Sequence, residues 1–216
     1  MMTPSQGLTP ELLLHAYSNG IFPMSEGRDT DEVFWVDPRK RGVFPLDGFR
    51  ISRSLRRAIR TSPFRITFDT DFSSVVAGCA DREETWINGP ITRLYAALAD
   101  AGFAHSVEVW DEQRLVGGVY GVTIGAAFFG ESMFSTRTNA SKIALAYLID
   151  KLRSSGFVLF DTQFITDHLS SLGAIEIPRG TYRRYLAEAI EIESDFDTNA
   201  AVSIPDQLLQ RMTQTS

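Results

Sequence analysis

Residues 104–135 read AHSVEVWDEQRLVGGVYGVTIGAAFFGESMFS. Three apolar, β-rich runs follow one another through short turns: Ala104 to Trp110, Leu115 to Val122, and Ala126 to Ser135. Val, Tyr, Phe and Trp suit a pleated, half-buried surface. The polar or glycine breaks between the runs read as hairpin connections, so the stretch predicts a three-stranded meander. Its last strand sets a carboxylate, Glu131, among Phe128, Phe129, Met133 and Phe134. Burying an unpaired charge is costly. Glu131 therefore has either a structural partner, such as an ion pair or a strand end that meets water, or a place in a reacting site.

Working outward, Asn139 to Gly156 predicts a helix, with Asn139 as cap and Leu145, Leu148, Ile149 and Leu152 on one stripe. Phe157-Val158-Leu159-Phe160 then reads as a strand buried on both faces. Helices are also expected over 9–20 (cap Thr9, Pro10 at its first position, stop Gly20), from Ser52 through Arg60, over 71–79 and 90–101, in a short piece carrying His168, Leu169 and Leu172, and over 181–190. Further strands are expected at 65–68 and 174–177, a polar loop at 24–33, and a loose tail from about residue 197. The expected fold is α+β with a β-β-β-α-β core and a short N-terminal helical segment.

With 216 residues, 44% of them hydrophobic and 22% charged, the chain can bury one large core. A single cysteine, Cys79, excludes an internal disulfide and a Cys-based metal site. It lies beside Val75, Val76 and Ala77, where packing is the expected role. His15, His105 and His168 lack metal-ligand spacing, and neither a phosphate-binding P-loop nor a dinucleotide fingerprint is present. No secretion signal or membrane span is legible, so a cytoplasmic protein is expected. The net charge of −6 hides an asymmetry. Residues 39–65 hold nine Arg or Lys against Asp47, a local +8 that leaves −14 elsewhere. Such a block could hold one polyanion in one place.

Asp161-Thr162-Gln163 closes the buried strand, and residues i and i+2 share a face. Asp161 could accept a hydrogen bond from the Gln163 amide and orient the Gln163 carbonyl toward an incoming amine. Alternatively, Asp161 caps a loop. Trp86 follows a polar stretch and precedes Asn88-Gly89-Pro90, so it reads either as a base-stacking platform or as a core lid.

Together these residues resemble the leucyl/phenylalanyl-tRNA–protein transferase family. The resemblance rests on motifs running in family order from residue 13 to about 190: Ala16-Tyr17 with Gly20-Ile21-Phe22-Pro23-Met24, Asp37-Pro38-Arg39, Ser52-Arg53-Ser54, Thr85-Trp86-Ile87, Ala104 through Trp110, Leu115-Val116-Gly117-Gly118, Gly130 through Ser135, Asn139-Ala140-Ser141-Lys142, Asp161-Thr162-Gln163 and Ser171-Leu172-Gly173-Ala174. It implies transfer of Leu or Phe, less readily Met, from aminoacyl-tRNA to the N-terminal Lys or Arg of a protein, marking it for N-degron degradation. It further implies a monomer without cofactor or metal, built on a GNAT-like (acyl-CoA N-acyltransferase-like) core. The implied domains are a reduced N-terminal domain at 1–38, a catalytic domain at 39–196 and a tail at 197–216.

By the same resemblance, Asp161 and Gln163 form the relay for the attacking α-amine, and Glu131 is the active-site carboxylate. Tyr17, Met24, Trp86, Tyr95, Phe128, Met133, Leu145 and Leu148 bind substrate, and Arg53, Arg56, Arg57 and Arg60 bind tRNA. Glu131 with Asp161 is the candidate negative site that discriminates the acceptor. The chain departs from the family pattern in its short N-terminus, in Phe34-Trp35-Val36 before Asp-Pro-Arg, in Met24 where Trp is frequent, and in Thr162 where Cys is frequent, which argues against thiol catalysis. Three rival readings compete. A CoA-dependent N-acetyltransferase would need a glycine-bearing pyrophosphate turn where Ser135 to Ala140 has none. A cell-wall peptidyl transferase using charged tRNA shares the donor but not the motifs. A non-catalytic RNA-binding module leaves Asp161, Gln163 and Glu131 without a role.

Overall fold

In a computed structural model that describes residues 8–213, the meander forms the centre of a mixed sheet. Its strands are β3 (Lys40–Val43), β4 (Arg65–Phe68), β5 (Ala104–Asp111), β6 (Arg114–Ile124), β7 (Ala127–Ser135), β8 (Leu159–Gln163) and β9 (Ile175–Pro178), in the order β4-β5-β6-β7-β8-β3-β9. All neighbours are antiparallel except β7 and β8. That parallel pair is joined by the long helix α5 (Ala140–Ser154), because a parallel connection needs a crossover. A separate two-stranded ribbon pairs β1 (Phe22–Met24) with β2 (Phe34–Val36).

Helices cover both faces. On one lie α5, α2 (Arg53–Thr61) and α8 (Pro205–Thr213), over Val107, Val109, Val119, Phe128 and Phe160. On the other lie α1 (Pro10–Ser18), α3 (Phe72–Ala80), α4 (Gly89–Asp100) and α7 (Arg179–Ile190), over Tyr120, Val122, Phe129 and Leu159. The short α6 (Asp167–Ser171) links β8 to β9. Leu13, Tyr17 and Phe22 are buried in the same cluster as Phe129 and Tyr182, so the N-terminal segment shares the main core. Thr9 caps α1, its hydroxyl accepting from the Leu12 amide, and Ser52 caps α2 in the same way.

Three expectations are corrected, and one strand is unannounced by the sequence. Within the described residues 197–213 the chain is not a loose tail: α8 buries Leu208, Leu209 and Met212. Its cover explains why α5 is buried nearly all round rather than along one stripe. Asn139 sits at φ 67° and makes no side-chain cap. The strand after α5 begins later, at Leu159, and Val158 is 55% exposed. Finally β3 lies between β8 and β9, although Lys40-Arg41-Gly42-Val43 has no apolar alternation to announce a strand. Gly42 is required there by close approach: a Cβ would stand 2.7 Å from Thr162 Oγ1 and 2.8 Å from the Phe164 backbone.

Two buried hydroxyls, those of Tyr120 and Thr162, find no partner among the described residues. Leaving such a group unpaired costs about 1–3 kcal/mol. Tyr120→Phe is therefore expected to leave thermal stability equal or higher; a fall in Tm would show that the hydroxyl has a partner.

Candidate functional site

A β-bulge delivers Glu131. Tyr120 pairs with Ser132 while Gly121 pairs with Gly130, so Glu131 is the extra residue on β7. Bulges of this kind bend a strand and re-aim a side chain. The bulge also explains why Phe129 and Phe134, at odd spacing, pack against the same cluster. The parallel pairing of β7 with β8 ends at Phe129 opposite Asp161. Two residues beyond, Glu131 and Gln163 face each other across the opening fork, and Gln163 Nε2 donates to Glu131 Oε1 at 2.8 Å.

Behind Glu131 stand two phenols. Tyr17 of α1 donates to Oε1 and Tyr95 of α4 to Oε2, each at 2.6 Å, and the two hydroxyls lie 2.6 Å apart. Burial, reinforced by the Glu131 charge, raises both phenols well above their ordinary range, so they remain donors. Burial pushes Glu131 itself up to about 7, against the downward pull of Tyr17, Tyr95 and Gln163. A proton count points the same way. Three short O···O contacts join Tyr17, Tyr95 and the carboxyl group, and two phenolic protons cannot fill three hydrogen bonds. With Glu131 protonated the carboxyl donates to one phenol, that phenol donates to the other, and the other donates back to the carboxyl, so all three contacts are filled.

Asp161 is fully buried and fully used. Oδ1 accepts from Arg41 Nε at 2.9 Å and from the Gln163 backbone N–H at 2.7 Å. Oδ2 accepts from Arg41 Nη2 at 2.6 Å and from the Tyr182 hydroxyl at 2.7 Å. Four donors fill its four lone-pair positions, and neither Arg41 nor Asp161 lines the cavity described below. The expected bond from Gln163 to Asp161 thus comes from the main chain, while the Gln163 side chain turns to Glu131. Holding Gln163 at φ 62°, a region non-glycine residues seldom occupy, is one effect of this frame. It also rules Asp161 out of direct contact with an acceptor cation.

Glu131 and Gln163 open onto a cavity of about 1180 Å³, whose wall includes Met24, Trp86 and Met133. Five expected site residues therefore meet there. Tyr17 and Tyr95 act from behind. Phe128, Leu145 and Leu148 do not reach the cavity wall; they are packed in the core on the α5 face, because α5 is clamped between the sheet and α2 with α8. Further apolar wall comes from Leu115, Phe134, Phe164 and Leu169. No described residue donates to Gln163 Oε1, an atom that is not sealed from solvent. Cys79 is buried and its thiol is pushed up to about 12 by burial, which makes it inert.

Sequence reasoning missed Arg41 and Tyr182. Arg41 was counted in the basic block, yet it is 1% exposed and neutralised by Asp161. Lys40 pairs with Glu176 and Arg60 with Asp206, so the block's free charge is smaller than +8. Arg53 and Arg57 are exposed on α2 and Arg56 is half-buried.

The model of the leucyl/phenylalanyl-tRNA protein transferase family matches residues 43–187, and that of the family's N-terminal domain matches residues 7–39. A relative from Ruegeria sp. (strain TM1040), named leucyl/phenylalanyl-tRNA–protein transferase, is 62% identical over 97% of this chain and 99% of its own. One of the same name from Cereibacter sphaeroides (strain ATCC 17025 / ATH 2.4.3) is 60% identical over the whole of both. Among solved structures, FemX superposes with a TM-score of 0.52 at 12% identity, over 78% of this chain and 66% of that one. This likeness bears on the fold alone.

Proposed function

The chain belongs to the leucyl/phenylalanyl-tRNA–protein transferase family and is an aminoacyltransferase that moves an amino acid from aminoacyl-tRNA to protein, and we propose that Glu131 is the group that receives the proton of the attacking amine. The observation that carries this is the closed set of contacts among Tyr17, Tyr95, Gln163 and Glu131 at the fork of β7 and β8. A general base works best with a pKa near the working pH, and burial puts Glu131 there. Taking up a proton also completes the three-membered ring of hydrogen bonds, so the protein stabilises the protonated state it must pass through.

The reaction needs little else. The acceptor's α-amine attacks the aminoacyl ester carbonyl. A C–N bond forms and the C–O bond to the terminal ribose breaks, with the amine proton passing through Glu131 to the leaving ribose hydroxyl. Gln163 Oε1 accepts from the amine and holds it in line, one part of the positioning of donor and acceptor that together supplies up to ~7–11 kcal/mol in the best oriented cases. Asp161, Arg41 and Tyr182 hold Gln163. The donor's apolar side chain rests against Met24, Met133, Phe134 and Leu169, a surface that accepts Leu, Phe and Met because a methylene is worth only ~1–3 kcal/mol. Trp86 offers a face to the terminal base. The core is read as GNAT-like, supported by the parallel pair that splays beyond a bulge. The remaining expectations are kept in this reading: acceptors with N-terminal Lys or Arg, an N-degron role in the cytoplasm, and a working monomer with residues 39–196 as catalytic body.

The deciding assay is transfer of labelled Leu or Phe from tRNA to peptides beginning with Arg, Lys, Asp or Glu. Transfer to the Arg and Lys peptides alone is expected; equal transfer to all four overturns the acceptor assignment. The exposed arginines of α2 are the proposed tRNA contacts. Neutralising Arg53 and Arg57 together is expected to weaken tRNA binding and flatten its salt dependence, by ~0.7–0.9 in the log–log slope for each phosphate that is no longer neutralised. An unchanged slope places the tRNA body elsewhere.

A further inference from the structure

The cavity has a second end with different chemistry. Its inner end holds Glu131 and Gln163. Its outer wall is cationic: Arg82 follows α3, Arg114 opens β6, and Arg137 lies in the β7–α5 connection, each on a separate element. Arg82 is committed to that wall, donating to Ser132 Oγ and the Met133 carbonyl. Arg137 pairs with Asp111 at 3.1 Å while its side chain stays 61% exposed. Arg114 is exposed and makes no salt bridge among the described residues. Ser141, on the same wall, has a hydroxyl that bonds to no described side chain or carbonyl. Lys142 adds a charge close enough to His168 to help keep that imidazole neutral, after burial, the larger cause. Of the acids on the wall, Asp111 is held by Arg137, whereas Asp81 makes no salt bridge among the described residues.

The two ends are set apart by the strand that joins them. Four residue steps along β7 lead from Glu131 to Ser135, about 13 Å at the ordinary strand rise. A donor whose ester carbonyl meets Gln163 has no negative charge until the first phosphodiester beyond its terminal nucleoside. That group must leave the site along the wall toward Arg114 and Arg137. An arginine pair with free N–H groups matches a phosphate's oxygens better than a lysine or a hydroxyl does.

We propose that Arg114 and Arg137, with the Ser141 hydroxyl, form a phosphodiester clasp that grips the linkage between the last two nucleotides of the aminoacyl donor. The clasp rests on the aminoacyl-tRNA reading of the cavity and is separate from the α2 arginines, which do not line it. Its function is registration: gripping the first phosphate fixes how deep the ester sits, whichever amino acid it carries.

The test compares three donors carrying the same amino acid: an aminoacyl-adenosine without phosphate, its cytidylyl-extended dinucleotide with one phosphodiester, and full aminoacyl-tRNA. In the unaltered enzyme the dinucleotide is expected to exceed the phosphate-free donor in kcat/KM by about 10-fold or more, the scale of one charged hydrogen bond. Arg114→Ala with Arg137→Ala should collapse that ratio toward one. Arg114→Glu should invert it. Since both side chains are exposed, the variants are expected to fold, and unchanged Tm values check this. A double variant that keeps the full phosphate gain overturns the clasp. So does one that loses activity equally on all three donors. No transfer by the unaltered enzyme from any donor would instead overturn the reading on which the clasp rests.

Discussion

Glu131→Gln is expected to lower the single-turnover transfer rate by ~10²–10⁴-fold, the range for loss of a general base, while donor affinity changes little. In the unaltered enzyme kcat/KM for the acceptor peptide should rise with pH in two steps, one at about 7, where Glu131 becomes the free carboxylate, and one at ~7.7–8.0, where the acceptor's α-amine becomes neutral. The variant should keep only the second. The competing assignment gives Glu131 to the acceptor's cationic side chain. It predicts loss concentrated in acceptor KM and specific to Arg- and Lys-starting peptides, with kcat retained. A stability signature goes with the same residue. Because burial raises Glu131 from 4.5 to about 7 in the native protein, the folded chain holds a proton that the unfolded chain releases between those values. The associated stabilisation is complete below about 4.5 and fades as pH rises through about 7, an effect of about 3 kcal/mol at most. Glu131→Gln should remove this slope from the pH dependence of urea unfolding, and a slope that survives would assign it to other groups.

Asp161→Ala is expected to cost about 3–5 kcal/mol of folding stability, because it strands the Arg41 guanidinium in the core. Any loss of transfer follows from disorder at Gln163 rather than from a missing contact with substrate. Replacing both partners by apolar residues, Arg41→Met with Asp161→Leu, should recover much of the stability, as buried pairs often allow. It should not recover the rate, since the Gln163 main chain would still lack its anchor. Gln163→Ala, in contrast, should slow transfer at nearly normal stability. An Asp161→Ala protein as stable as the parent would sink the frame. A double variant with the parent's rate would show that Gln163 needs no such holder.

The parts of the fold that were legible are those where local pattern and tertiary demand agree. Residues 104–135 alternate and break as hairpins do, and they form β5, β6 and β7. Thr9 and Ser52 are strong caps and they cap. What failed to show had no local signal. Arg41 reads as surface charge, since the carboxylate that neutralises it lies 120 residues away. Leu208 and Leu209 sit in a short polar helix whose burial depends on an unfilled face of α5. Leu145 and Leu148 were on the right helix, but periodicity names an inward face without saying whether core or cavity lies beneath it.

For the site, the sequence by itself determined the cast. Its ordered motifs marked Glu131, Asp161, Gln163, Tyr17, Trp86 and Tyr95, and tied them to a family with one reaction. The tertiary structure decided their geometry. The bulge at Glu131 and the end of β7–β8 pairing are register events between strands, invisible in either strand alone. They put a carboxylate, two phenols and an amide within hydrogen-bond reach, and in that buried setting the carboxylate's pKa rises to where it can accept a proton. Asp161, two residues from Gln163 in sequence, is taken instead by Arg41 and Tyr182. A sequence specifies which groups are available, while the proton a group holds and the atom it faces depend on the charges and dipoles that folding brings around it.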